Sequence, residues 1–290
     1  MKRIIYFIIA CFIYTSLILE LASGQTGNRT ILLKPSSKNV AISVLEQSTT
    51  IISSRLKTYG IEREIVTVLT DKGQIQVQIP DNYTSTDIEG LLTIKGDLAF
   101  YETFNKKEVS DLMKSDNQLF RLLNSDPAAN PADSRIGCIK TENCKTVNTY
   151  LQSIKNPVYC KFTWSFYGLK SDGKSKCLYA LKTNSEGMPI LGRKDIESVK
   201  SENAQDGKSY NIQITFKNSS AGLWAEATRK NINRSIAITM DNNVYSSPLV
   251  RTVIEKGVCE INGDMTLGDV NYFLALVNNP MLPVTLEIVR

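Results

Sequence analysis

Three features of the 290-residue sequence predict an α+β fold. Residues 212–289 run strand, helix, hairpin, strand, helix, strand; residues 40–79 run helix then hairpin; and a composition of 42% hydrophobic with 22% charged residues supports a packed core. The predicted architecture is a base of ferredoxin-like type, a mostly antiparallel sheet with helices on one face, carrying an inserted smaller α+β head. Residues 1–24 form a leader, 25–104 and 209–290 the two halves of the base, and 105–208 the head with its hinges.

The leader opens with Met1-Lys2-Arg3. The apolar run Ile4 to Leu19 falls short of the ~20 residues of a spanning helix. With small residues at Ala22-Ser23-Gly24 it reads as a signal peptide cut before Gln25, an uncleaved anchor being the alternative. Gln25 is not cysteine, so no lipid anchor is expected. The mature chain is expected to be soluble and exported, periplasmic or otherwise extracytoplasmic. Without Lys2, Arg3 and Glu20, the 34 basic and 29 acidic residues become 32 and 28. This surplus is dispersed, as in Lys106-Lys107, which argues against nucleic acid.

The chain has no histidine. That removes Ser-His-Asp and Cys-His nucleophile pairs and the H-E-x-x-H zinc site. No catalytic residue, cofactor or metal is expected.

In order, a helix over 40–59 places Val44, Leu45, Ile51, Ile52, Leu56 and Tyr59 on one face, with Gly60 as its left-handed stop. Strands 65–69 and 74–79 form a hairpin across Asp71-Lys72-Gly73, with Ile75, Val77 and Ile79 alternating against glutamines. A helix over 85–93 and a strand over 97–103 follow. Residues 106–124 read as a polar helix, and 125–134, rich in Pro, Asp and Asn, as a hinge. Strand 135–139, helix 144–154 and strands 158–167 and 176–183 make the head, from which 185–206 returns as a second hinge. The helix over 219–231 has Ser219 or Ser220 as N-cap and Ala221, Trp224, Ala225 and Thr228 inside. The hairpin 235–240 and 244–249 turns at Asp241-Asn242-Asn243, where asparagine tolerates positive φ. After strand 258–261, Thr266 and Asp269 form a capping box for a helix to Val277 that buries Leu267, Val270, Leu274 and Val277. Strand 284–289 closes the chain.

Gly168 to Ser175 has the spacing G-x-x-x-x-G-K-[ST] of a phosphate-binding loop. The text after it is strand-like where such a loop needs a helix, so it reads as a hairpin turn. Asp264 and Asp269 lack a ligand-dense loop and read as capping groups, not as a cation site. Serine and lysine pairs in 171–176 carry no second hydrolase signature. Cys11 lies in the leader, leaving Cys138, Cys144, Cys160, Cys177 and Cys259. Five is odd, so at least one thiol is free or paired with another chain. The short loop between Cys138 and Cys144 makes them the preferred pair.

Alternation on 160–167 puts Phe162, Trp164 and Phe166 on one face, opposite Thr163, Ser165 and Tyr167. With Tyr179 these aromatics make either the head core or a groove for extended apolar polypeptide, and the two are compatible where a strand edge is open.

The stretches Ser235-Ile236-Ala237-Ile238-Thr239-Met240-Asp241, Val244-Tyr245-Ser246-Ser247-Pro248, Ile261-Asn262-Gly263-Asp264-Met265-Thr266 and Leu282-Pro283 resemble the first periplasmic domain of SecD, an accessory subunit of the bacterial preprotein translocase. So do Leu45-Glu46-Gln47, Arg55, Gly60-Ile61 and Ile75-Gln76-Val77-Gln78-Ile79-Pro80-Asp81, with a weaker match in the head. The family usually has glycine where Asn242 stands. The resemblance implies a base with a mobile head that holds emerging polypeptide. The expected function is non-catalytic binding of unfolded or extended polypeptide in support of secretion or envelope folding. Expected partners are translocating polypeptide and Sec translocase or envelope proteins. The alternative is a structural module docking on folded envelope or translocase components.

Overall fold

The computed structural model describes residues 27–83, 85–114, 117–128, 130, 132–154, 159–166 and 174–290. The leader, Tyr167 and residues 168–173 of the phosphate-loop-like stretch lie outside these, as does the side chain of Asp264.

The first sheet has strand order β14-β1-β3-β2 and is antiparallel throughout. Its members are β1 (Asn28–Pro35), β2 (Ile65–Leu69), β3 (Gln74–Pro80) and β14 (Leu286–Ile288). β1 is absent from the sequence expectation: Ile31-Leu32-Leu33 shows no alternation, and the strand is defined by partners on both sides, Leu33 facing Ile75 and Ile288. The predicted alternation of β3 buries Ile75, Val77 and Ile79 completely. They meet α1 (Ile42–Tyr59) and α2 (Ser85–Thr93), whose Leu45, Ile52, Leu56, Ile88, Leu91 and Leu92 are in the same core. Gly60, at φ +110°, ends α1 by donating to the carbonyls of Leu56 and Lys57.

A second sheet, order β12-β11-β4-β8, joins β4 (Leu98–Glu102) to β11 (Ile236–Met240), β12 (Asn243–Ser246) and the short β8 (Leu191–Gly192). The two halves of the base therefore share two sheets, through β1 with β14 and β4 with β11. A third sheet, β13-β10-β9, is built from β9 (Ile196–Asn203), β10 (Tyr210–Phe216) and β13 (Val258–Met265). β9 occupies the predicted return hinge. It is an integral edge strand, held along β10 and burying Val199.

Helix α6 (Asn218–Lys230) begins at Lys217, not with a serine cap; Ser220 lies inside its first turn and donates to Asp195 Oδ1 at 2.9 Å. The last helix, α7 (Leu267–Val277), has the expected box, Asp269 Oδ2 accepting from the Thr266 amide at 2.7 Å and Thr266 Oγ1 from the Asp269 amide. Its buried surface is wider than the predicted stripe because α1, α2 and three strands surround it. Tyr272, Phe273 and Leu276 are inside while Leu267 is half exposed.

Residues 106–124 form two short helices, α3 (Lys106–Leu112) and α4 (Gln118–Leu122). They pack with α5 (Cys144–Ser153) on one face of the head sheet, order β5-β7-β6, comprising β5 (Arg135–Lys140), β6 (Cys160–Trp164) and β7 (Ser175–Lys182). This head core contains Val109, Leu119, Phe120, Leu123, Ile136, Val147, Leu178 and Ala180. No helix among the described residues is long and apolar enough to cross a membrane.

Cys138 is bonded to Cys177, not to Cys144. β7 lies beside β5 with Cys177 directly opposite Cys138, whereas Cys144 begins α5 beyond the turn that ends β5. The Ser165 amide donates to the Cys177 carbonyl and the Cys177 amide to Ser165 Oγ, so the backbone of Cys177 faces β6. The cysteines thus form the close, non-hydrogen-bonded type of cross-strand pair. Among the described residues Cys144, Cys160 and Cys259 are free thiols, the last two buried and pushed up to about 12 by that burial. Cys138→Ser is expected to lower stability by about 2–4 kcal/mol, measured by denaturant unfolding with the reduced wild type as comparison.

Candidate polypeptide-binding surface and the head–base joint

Alternation in β7 decides what each face of the head does. Leu178 and Ala180 point into the head core, while Tyr179 and Leu181 point to the base. There, with Tyr101, Ala237 and Val244, they form a small apolar seam. Tyr179 is thus buried in the joint, and its phenol is raised by that burial. Phe166 also leaves the head: its amide donates to the Val244 carbonyl at 2.7 Å and its ring lies 5.8 Å from Tyr245, against the main core.

Phe162 and Trp164 stay on the head. Both pack on its core, and the Trp164 indole donates to Asn148 Oδ1 of α5 at 2.8 Å. Beside them is an open depression of about 310 Å³ lined by Asn148, Leu151, Gln152, Cys160, Lys161 and Phe162. The four aromatics singled out from sequence therefore divide into Phe162 and Trp164 on the head, of which Phe162 lines this depression, and a pair in the joint. The pattern of bonds along β6 leaves its outer edge open at Cys160 and Phe162, while Val244 of β12 takes the end of that edge at Phe166. Tyr159 and Ser165 bond toward β7, so the backbone groups of Cys160, Phe162, Trp164 and Phe166 face outward. That row is next to the depression.

Polar contacts fasten the seam. Arg234 donates to Glu108 at 2.6 Å and to the Thr103 carbonyl at 3.0 Å, and Lys182 lies 3.7 Å from Glu108 and 4.0 Å from Glu102. Glu108 also closes a capping box with Asn105 at the start of α3. Burial alone raises the Glu108 carboxyl, but the Arg234 hydrogen bond, the Asn105 amide and Lys182 outweigh it and hold the group below the usual carboxylate range. A depressed acid stabilises the fold above its unfolded pKa and loses that contribution as pH falls through its folded value. The prediction is that acid titration of stability between pH 6 and 3 is shallower in Glu108→Gln than in the wild type. Parallel curves overturn it.

Deeper in the base, a charged knot ties separate parts of the chain. Arg55, fully buried on α1, donates to the carbonyls of Leu91, Ile94, Lys95 and Pro280. Burial, then the neighbouring Arg193, lowers its pKa to about 10, which leaves it charged at neutral pH. Arg193 donates to the carbonyls of Gly96, Leu276, Val277 and Asn279, at the end of α7. The carboxylate of Asp241 accepts from the amides of Lys95, Gly96 and Asp97 at 2.6, 3.0 and 2.8 Å. Gly96 is required there: at φ +88° a Cβ would lie 2.7 Å from the Leu276 carbonyl oxygen. This knot is missing from the sequence expectation. The available signal was Arg55 itself, an arginine on the buried stripe with Ile51, Ile52 and Leu56.

The SecDF P1 head subdomain model matches residues 169–284. The translocase subunit SecD of Acidaminococcus fermentans is 31% identical over 105 residues, covering 36% of this chain and 25% of that protein. SecDF of Thermus thermophilus is 21% identical over 262 residues, covering 90% of this chain and 29% of its own length. In sequence and fold the chain resembles the periplasmic domain of SecD, base plus head. A solved SecDF structure, described as a super-membrane-facing form, is similar in fold with a TM-score of 0.51 at 18% identity, covering 91% of this chain and 30% of that one. The chain thus spans about a quarter to a third of the length of these relatives. Among its described residues no group of three or more His, Cys, Asp or Glu is placed to hold a metal ion.

Proposed function

We propose that this chain works outside the cytoplasm as a non-catalytic accessory of protein translocation, holding an extended polypeptide along the outer edge of β6. The observation that carries the reading is the open backbone row of Cys160 and Phe162 beside the depression formed with α5. An extended chain added there gains main-chain hydrogen bonds irrespective of sequence, while Phe162 and Leu151 offer apolar contact to alternate side chains. Recognition through backbone suits a ligand whose sequence varies. Relatives named as protein translocase subunits support the same reading. Phe166 and Tyr179 contribute by fixing the head on the base.

The test is photocrosslinking of an unfolded polypeptide to a probe at position 162 and to a control probe at exposed Ile42 on α1. Crosslinking concentrated at 162, with roughly tenfold weaker binding in Phe162→Ala, supports the proposal. Equal crosslinking at both positions overturns it. Capture of defined folded partners with indifference to unfolded chains would favour a docking module.

A further inference from the structure

The turn between β11 and β12 is bonded on two sides. Asp241 and Asn242 both have left-handed backbone, φ +47° and +65°, as a two-residue hairpin of this type requires. Aspartate, asparagine and glycine all tolerate that conformation. Here the aspartate is also gripped by the Lys95, Gly96 and Asp97 amides, which bond its carboxylate. The next residue reaches the opposite way. Asn242 Oδ1 accepts from Lys161 Nζ at 2.6 Å, and the Asn242 carbonyl accepts from the Thr163 hydroxyl. Two residues on, Val244 takes the outward amide of Phe166, and Ser165 and Val244 form a parallel bridge.

We propose that the Asp241-Asn242 turn is a clasp that holds the head on the base and caps the outer edge of β6, so that longer extended peptides enter only when it opens. This rests on β6 being the polypeptide edge. With the clasp closed, a strand laid along the edge from Cys160 to Phe162 meets Asn242 beside Thr163 and Val244 beside Ser165 and can go no further. With it open, the same edge continues through Phe166. The anchoring of Asp241 in the base makes the clasp rigid on one side, and the bonds of Asn242 to two β6 side chains make it releasable on the other.

Asn242→Gly tests the clasp without harming the hairpin, because glycine suits φ +65° while offering Lys161 no side-chain acceptor. Asn242→Asp retains an acceptor and serves as the rescue. Two quantities are measured on the full chain: hydrogen exchange of the Phe166 amide, and affinity for reduced, carboxymethylated α-lactalbumin as an unfolded probe. Asn242→Gly is expected to speed that exchange roughly five- to tenfold and to tighten probe binding by a similar factor, since one charged hydrogen bond is lost from the closed state only. Asn242→Asp is expected to match the wild type in both. Unchanged exchange in Asn242→Gly overturns the clasp. Faster exchange with the probe bound no more tightly overturns the cap. Binding of the probe by neither protein refutes the polypeptide reading and the cap with it, and the exchange rates then uphold or refute the clasp alone.

Discussion

Trp224→Ala is expected to lower stability by about 3–5 kcal/mol in denaturant unfolding. Trp224 is 2% exposed on α6 and lies 5.6 Å from Phe100 and 4.9 Å from Phe216, so truncation leaves a cavity at the meeting point of β4, β10 and α6. These come from both halves of the base. The aromatic contacts are tilted and edge-on, arrangements that add to simple area burial. Trp224→Phe distinguishes shape from polarity: the indole N–H is buried without a partner, so phenylalanine removes an unsatisfied donor and is expected to cost much less than alanine. A loss below about 1 kcal/mol for the alanine variant would show that the surroundings collapse into the space.

Arg55→Met carries the second large effect, an expected loss of about 3–5 kcal/mol. Methionine fills much of the volume and removes the cost of burying a charge. It also leaves four carbonyls, those of Leu91, Ile94, Lys95 and Pro280, without the donor that now serves them. The Lys95 carbonyl keeps its bond from the Leu282 amide, but stripping the charged donor from the Leu91 and Ile94 carbonyls costs more than removing the buried charge returns. Arg55→Lys, with a single ammonium in place of the planar fork, is expected to fall between methionine and wild type. Unfolding monitored by circular dichroism measures all three. A methionine variant as stable as the wild type would refute the view that the knot holds the two halves together.

Much of this architecture is legible in the residues because local signals agree with tertiary demand. Gly60 after Tyr59, the glutamine alternation of 74–79 and the Thr266 to Asp269 box each specify an element boundary by their own chemistry, and the structure has each of them. Where the sequence misleads, the deciding partner is far along the chain. β1 owes its conformation to β3 and β14, and β9 to β10. Cys138 is paired by strand register with a residue 39 positions away, against the local preference for Cys144. The candidate site shows the same division. Alternation identifies Phe162 and Trp164 as neighbours on one face, but β6 bends toward the base after Trp164, which takes Phe166 elsewhere. Tyr179 is assigned to the seam by β7, whose two faces serve different cores. The knot of Arg55, Arg193 and Asp241 is a product of three distant segments, and only Arg55, by its place on a buried stripe, gives a local sign of it.

The Cys138–Cys177 bond has a mechanical corollary. β7 is the middle strand of the head, and it is covalently yoked to β5 while β6 is joined to it by hydrogen bonds and side-chain packing without a covalent link. A tensile load applied to β6 therefore meets an asymmetric object. The sheet has one seam that can unzip and one that cannot, so stretching peels β6 outward and leaves the stapled pair as the fixed jaw to which it re-anneals.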